Sequence, residues 1–238
     1  MNHNQPQYSR VKRPVQAAGR FYSRLAPVYD WLAASEAHLM DAGLQMLDPD
    51  QGESLLEIGS GTGRALLQAA GEESPDLIAG LDLSWGMCQR AQRKLEHNQA
   101  QEQVDMIQGS ALDLPFAEES FQSVFCSFTL ELFDTPDLPV VLAEIRRVLT
   151  PGGRLGLVAL SRDRPLPWVG RLYEQLHLWF PTWIDCRPIP VQSLLKQAGF
   201  SIQQVERRAM WGLPVSLVLS TLQRNHQQGF SAPQPGRV

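Results

Sequence analysis

The stretch Leu55-Leu56-Glu57-Ile58-Gly59-Ser60-Gly61-Thr62-Gly63 constrains this chain more than any other, because an apolar run feeds directly into a loop with glycine at every second position. Leu55, Leu56 and Ile58 supply a buried strand, and Ala65, Leu66, Ala69 and Ala70 repeat at helical spacing immediately afterwards. Alternate glycines let the backbone pass close to a ligand where a Cβ would collide with it. Strand, glycine loop and helix together predict a nucleotide-type cradle.

The spacing separates the occupants such a cradle can take. A dinucleotide fingerprint, G-x-G-x-x-G, needs its third glycine at position 64, and that residue is Arg64. The glycines fall at 59, 61 and 63, and Glu57 precedes them in the strand end. A carboxylate there repels a pyrophosphate and suits a ligand carrying an ammonium or sulfonium charge. Asp82, nineteen residues after Gly63, ends a second apolar run, where a carboxylate can accept hydrogen bonds from two vicinal ribose hydroxyls.

Beyond the cradle, the chain alternates strand and helix. Strands are predicted at 54–58, 77–82, 104–107, 121–128 and 154–160, with helices at 63–71, 85–98 and 137–149. Met87, Ala91 and Leu95 recur every four residues, with Arg90, Arg93 and Lys94 on other faces. Such alternation predicts an α/β, Rossmann-like, doubly wound parallel sheet with right-handed crossovers. Ligands in these folds sit beyond the carboxyl ends of the strands.

The flanks read differently. Residues 1–16 are polar, carry Arg10, Lys12 and Arg13, and read as a disordered basic tail. A helical extension follows to about Leu47, with Phe21, Leu25 and Val28 on one face and a break at Pro27. After Leu160 the alternation fails. Trp168, Leu172, Leu176 and Phe180 step by four until Pro181, giving a helical cap insertion over about 161–198. A helix at 189–198 closes at Gly199, two strands are predicted at about 201–209 and 214–222, and 223–238 is a Gln- and Pro-rich tail. The main domain is therefore expected over 17–222.

Composition disfavours several classes. The 238 residues carry a formal net charge of −4, so no global basic field exists to hold nucleic acid. Cys88, Cys126 and Cys186 lack any C-x-x-C spacing, which argues against a disulfide framework and against a metal site. No apolar run approaches the length of a membrane span, and the N-terminal residues lack the apolar core of a secretory signal. A cytoplasmic protein is the expectation, with peripheral membrane contact and oligomeric state left open.

The E-x-G-x-G-x-G loop, the strand ending Gly80-Leu81-Asp82-Leu83-Ser84 and the stretch Leu149-Thr150-Pro151-Gly152-Gly153-Arg154 together resemble the class I S-adenosylmethionine-dependent methyltransferases. The similarity runs in order over roughly residues 20–220 and is greatest to the branch holding the ubiquinone and menaquinone C-methyltransferases. It implies a seven-stranded sheet closed by a reversed hairpin, and S-adenosylmethionine held by Glu57, Gly59, Ser60, Gly61, Gly63 and Asp82. Leu83 would pack on the adenine. Gln108-Gly109-Ser110-Ala111-Leu112-Asp113 resembles the adenine-edge motif, with Ser110 where the family commonly has Asp and the Ala111 N–H still available. Ser127 and Phe128 would border the methionine moiety and the acceptor. Tyr22, Tyr29 and Asp30 match a family pattern in which Tyr29 reaches the cofactor carboxylate.

Methyl transfer from a sulfonium needs orientation and exclusion of water, and a carbon or phenol acceptor additionally needs a base. His177, in the cap, is the candidate catalytic base, beside the structural role that a lone cap histidine more often has. Arg187, in Asp185-Cys186-Arg187-Pro188-Ile189, either pairs an anionic substrate group or pairs Asp185. The aromatics Trp168, Tyr173, Trp179, Phe180, Trp183 and Trp211 point to a small lipophilic acceptor, such as a prenylated quinol or an amphipathic lipid. Two other readings stand beside this one at the level of sequence: a nicotinamide-dependent oxidoreductase, and a non-catalytic partner subunit that keeps the fold for binding.

Overall fold

The structure is a computed structural model that describes residues 35–71, 74–163 and 186–222. Its first helix, α1, covers 35–47 and lays Leu39, Leu44 and Leu47 against the sheet. The alternation then runs β1 (Ser54–Ile58), α2 (Arg64–Ala69), β2 (Leu77–Asp82), α3 (Trp85–His97), β3 (Val104–Gln108) and β4 (Phe121–Ser127). It continues through α4 (Leu138–Val148), β5 (Leu149–Leu160), α5 (Val191–Gln197), β6 (Phe200–Met210) and β7 (Leu213–Leu222).

Local chemistry sets these boundaries. Ser84 caps α3, its hydroxyl accepting from the Met87 N–H. Pro139 lies in the first turn of α4, and Arg146 and Arg147 occupy its last turn beside the negative end of the dipole. Gly199, at φ +84°, closes α5 as its sequence position predicts.

The seven strands form one sheet in the order β3-β2-β1-β4-β5-β7-β6. β1 pairs parallel with β2 and β4, β2 with β3, and β4 with β5, while β7 runs antiparallel to both β5 and β6. The order reverses direction between β1 and β4, so the crevice at their carboxyl ends is the switch point where open α/β sheets bind ligands.

Side chains alternate between two cores. Leu56, Ile58, Leu81, Val124 and Leu157 pack with Val141, Ile145 and Leu195 from α4 and α5. Leu55, Ile78, Phe125 and Val158 pack on the other face with Leu39, Leu66 and Leu95 from α1, α2 and α3. Gly43 brings α1 close to the sheet, because a Cβ there would run into the Val158 side chain.

Most boundaries shift from expectation by one or two residues, and two shifts have a visible cause. β5 begins at Leu149 instead of 154, since Leu149 already pairs Phe121 before the register slips to Ser123 and Arg154. The four residues Thr150-Pro151-Gly152-Gly153 bulge out, led by a proline without an N–H and by Gly152 at φ +85°. β4 ends at Ser127, one residue early, because Phe128 turns off at φ +48°. The expected tails, the first part of the helical extension and the body of the cap, including Tyr22, Tyr29, Asp30, His177 and the aromatics Trp168 through Trp183, lie outside the described residues. No described helix is long and apolar enough to cross a membrane, and no group of metal-ligating side chains occurs among the described residues.

Candidate functional site

The glycine loop leaves β1 and turns around the end of β2. The N–H groups of Gly59 and Ser60 both donate to the Leu81 carbonyl, at 2.8 and 3.1 Å. Gly59 stands at φ +74° and Gly63 at φ +75°, conformations that carry a steric penalty for residues with a Cβ. A Cβ on Gly59 would strike the Thr129 side chain, and one on Gly63 would lie 2.9 Å from the Ala91 Cβ on α3. At these two positions the missing side chain therefore makes room for the protein itself, holding the loop tight between α3 and the segment after β4.

Asp82 sits across the loop. Its Oδ2 accepts from the Gly61 N–H at 2.9 Å and its Oδ1 from the Ser84 N–H at 2.7 Å. Each oxygen keeps a further lone pair for the diol that the sequence reading assigns to it. Burial raises the Asp82 pKa, and the two N–H donors oppose that shift. Leu83 is half-buried beside it.

Glu57 is almost fully buried at the end of β1, 2% exposed. Burial, with the Asp82 charge as a second cause, pushes its carboxyl up to about 8, against the pull of the Leu66 N–H. That amide belongs to the first turn of α2, whose N-cap Gly63 offers no side chain. Oε2 of Glu57 has no hydrogen-bond partner among the described residues, and neither does the buried Ser127 hydroxyl at the end of β4. These orphaned acceptors flank the switch point from its two strands.

The remaining predicted residues fall around this crevice. Ser60 is buried, with its hydroxyl 3.6 Å from the Met106 sulfur. The Ser110 hydroxyl accepts from the Leu112 N–H at 3.2 Å, so its oxygen is engaged in its own turn, and Ala111 is buried next to it. Phe128 is 8% exposed and packs into the core under α1, with its N–H on the Val158 carbonyl at 2.8 Å. Arg187 is 1% exposed, and its Nη2 donates to the Phe133 carbonyl at 2.9 Å. Arg64 opens α2 and grips Asp41 of α1 through Nε and Nη2, at 3.1 and 2.7 Å.

Glu131, in the turn that follows β4, escaped the sequence reading. It lies in a short helical turn, Leu130–Leu132, is 0% exposed, and accepts from the Leu160 N–H at 3.1 Å. Burial pushes its carboxyl up to about 8. Its signal in the sequence is an acid lodged in the apolar string Leu130-Glu131-Leu132-Phe133, directly after a strand. The end of the sheet thus gathers a glycine loop, the Asp82 carboxylate held by two amides, and two buried carboxyls, at the end of β1 and just after β4.

Comparison with known proteins agrees with this geometry. A family model described as a methyltransferase domain matches residues 55–153, from β1 to the bulge of β5. The chain is 30% identical over 183 residues to the demethylmenaquinone methyltransferase of Lactobacillus johnsonii, covering 72% of each protein. It is 31% identical over 159 residues to the O-methyltransferase cnsE of Penicillium expansum, covering 67% of this chain and 56% of that protein. Across several curated relatives the match spans just over half of their length. Among solved structures, the [4+2]-cyclase SpnF superposes with a TM-score of 0.71 at 19% identity, over 90% of this chain and 99% of the other, a likeness of fold. With a glycine cradle and Asp82 at the switch point, and relatives of this kind across most of its length, the chain belongs to the class I S-adenosylmethionine-dependent methyltransferases, near the branch of the demethylmenaquinone enzymes.

Proposed function

We propose that this chain transfers a methyl group from S-adenosylmethionine to a small lipophilic acceptor, a prenylated quinol or an amphipathic lipid. The observation that carries the reading is the pairing of Asp82 with the Gly61 N–H at 2.9 Å, beside the orphaned Glu57 and Ser127 oxygens. When bound, the cofactor supplies an electrophilic methyl on a sulfonium with a neutral thioether as leaving group.

The chain's own residues supply the rest. Asp82 accepts from the ribose hydroxyls, oriented by the two amides that hold it. Glu57 Oε2 and Ser127 Oγ are the acceptors available to the ammonium of the methionine moiety, and a cation there draws the proton off Glu57. Leu83 flanks the adenine, and the Ala111 N–H binds its edge, with Ser110 shaping the turn. Phe128 and Arg187 border the acceptor side from within the core; the sequence-expected Tyr29 and His177 lie in segments outside the described residues. The apolar character of those segments, rich in Trp and Phe, supports a lipophilic acceptor.

Family membership removes the nicotinamide oxidoreductase reading. Turnover separates an enzyme from a partner subunit that only binds. The test is a mass-spectrometric methyl-transfer assay with S-adenosylmethionine against prenylated naphthoquinols, benzoquinols and phospholipids in detergent. A +14 Da product from a quinol or lipid is the expected outcome. Cofactor binding without any such product would overturn the acceptor class.

A further inference from the structure

The turn after β4 carries a carboxyl whose place in the fold goes unused by cofactor binding. Thr129 fills the space above Gly59 and fixes this turn to the cofactor loop, while the Phe128 N–H ties it to Val158 of β5. Two residues further on, Glu131 projects between the carboxyl ends of β4 and β5, where Oε1 accepts from the Leu160 N–H at 3.1 Å. Oε2 is buried and has no hydrogen-bond partner among the described residues. The two strands are neighbours in the sheet, and their carboxyl ends adjoin the switch-point crevice on the side away from Asp82 and the β1–β2 cradle. A buried carboxyl oxygen held there without a partner costs stability and calls for an explanation, of which a catalytic role is one.

We propose that Glu131 is the general base of the methyl transfer, its Oε2 taking the proton from the hydroxyl or carbon acid of the acceptor. The inference rests on the methyl-transfer reading above and assigns to a described residue the role that sequence reading gave to His177. The step balances without a further reagent. The acceptor O–H or C–H bond breaks and its proton passes to Oε2. The electron pair left on the acceptor forms the new bond to the methyl carbon. The sulfur–methyl bond breaks with its pair retained on sulfur, and the proton leaves Glu131 for solvent in exchange for the sulfonium charge that has been lost.

The surroundings tune the group for this work. Burial raises its pKa to about 8, the charge of Glu36 on α1 adds to the shift, and the Leu160 N–H and Glu131's own N–H oppose it. Cys126 on β4 faces both Glu131 and Glu57 of β1, and its thiol is pushed up by burial and by their charges, so it stays protonated. Arg187 approaches the same loop at the Phe133 carbonyl. A base in this range suits a phenol or an activated carbon acid at neutral pH.

The experiment compares wild type, Glu131→Gln and Glu131→Asp. Each is checked by thermal melting and by calorimetric titration with S-adenosylmethionine, then assayed between pH 6 and 9 with a prenylated 1,4-naphthoquinol. Expected are a fall in kcat of roughly 10²- to 10⁴-fold in the Gln variant and partial rescue by Asp. Cofactor affinity should stay within threefold. The wild-type kcat should rise about tenfold per pH unit below 8, and this limb should vanish in the Gln variant. A Gln variant with kcat within threefold of wild type, or with the pH limb intact, overturns the assignment.

If cofactor binds and none of the quinols or phospholipids is methylated, the acceptor reading fails and the base assignment is decided spectroscopically. The infrared difference between wild type and Glu131→Gln, with S-adenosylmethionine bound, should show one protonated carboxyl band that disappears between pH 7 and 9. A band unchanged across that range, or absent at pH 6, overturns it.

Discussion

The Gly61 N–H donates to Asp82 Oδ2 at 2.9 Å across 21 residues of sequence, so one carboxylate joins the glycine loop of β1 to the end of β2. Asp82 is therefore the clasp of its own loop as well as the proposed ribose acceptor, and its substitution should have two separable consequences. Asp82→Ala removes the acceptor for Gly61 and Ser84 together with the proposed ribose contacts. Affinity for S-adenosylmethionine should fall about a hundredfold or more, since hydrogen bonds to a charged group are worth about 1.5–3 kcal/mol each. Asp82→Asn, which keeps one acceptor oxygen, should retain more of the melting temperature than of the affinity. Calorimetry and thermal melts on the same samples check this.

Gly59 and Gly52 form a matched pair for reading the cost of the cradle. Both have positive φ, +74° and +81°, but a Cβ on Gly52 meets nothing within 4 Å whereas one on Gly59 meets Thr129. Gly52→Ala should cost about 1–2 kcal/mol, the left-handed penalty alone. Gly59→Ala adds overpacking, about 1–3 kcal/mol more, and should also weaken cofactor binding. Denaturant midpoints give both numbers.

Stability should fall as pH rises from about 5 to 8. Burial pushes Glu57 and Glu131 up to about 8 and Glu36 up to about 7, each from an ordinary value of 4.5. Between those limits the folded chain holds protons that the unfolded chain has released, so the stabilisation present below pH 4.5 is lost as pH climbs through the folded values. The slope approaches about 1.4 kcal/mol per pH unit for each carboxyl. Glu144 acts in the opposite sense: its hydrogen bond to Arg147 lowers its pKa, so its contribution is lost only in acid. Unfolding free energies of wild type and Glu57→Gln from pH 5 to 9 should converge at low pH, and the variant should show the shallower slope.

Arg154 on β5 reaches Glu53, just before β1, with Nη2 at 2.6 Å from Oε2, and the same oxygen accepts from the Ser123 hydroxyl of β4 at 2.8 Å. Three neighbouring strands are thereby joined at their amino-terminal edge, far from the cofactor crevice. The pair is partly shielded, 25% and 20% exposed, which puts it between surface and buried ion pairs. Arg154→Ala should cost about 1–2 kcal/mol of stability without altering cofactor affinity. A double-mutant cycle with Glu53→Ala should return a coupling near 1 kcal/mol.

Much of the scaffold was legible because its signals are local. β1 and β2 lie at their predicted residues, and α3 ends within one residue of expectation, since apolar runs, the Ser84 cap and the glycines act over a single turn. β5 misled because Thr150-Pro151-Gly152-Gly153 reads as a turn before a strand, and only pairing with Phe121 makes Leu149 part of that strand. Glu131 was passed over for a related reason. The apolar string Leu130-Glu131-Leu132-Phe133 hints at burial, but nothing within four residues of Glu131 shows that Leu160 of another strand seals it.

By itself, then, the sequence determined the alternation of elements, the cofactor cradle around Gly59, Gly61 and Gly63, and the carboxylate of Asp82, because each depends on backbone conformation and spacing within one βα unit. The tertiary structure alone decided the strand order that puts β4 beside β1, the meeting of Thr129 with Gly59, and the burial of Glu131 against Leu160. Those outcomes depend on long-range packing and on the desolvation of a charge, and both become defined only when segments distant along the chain close around the same space.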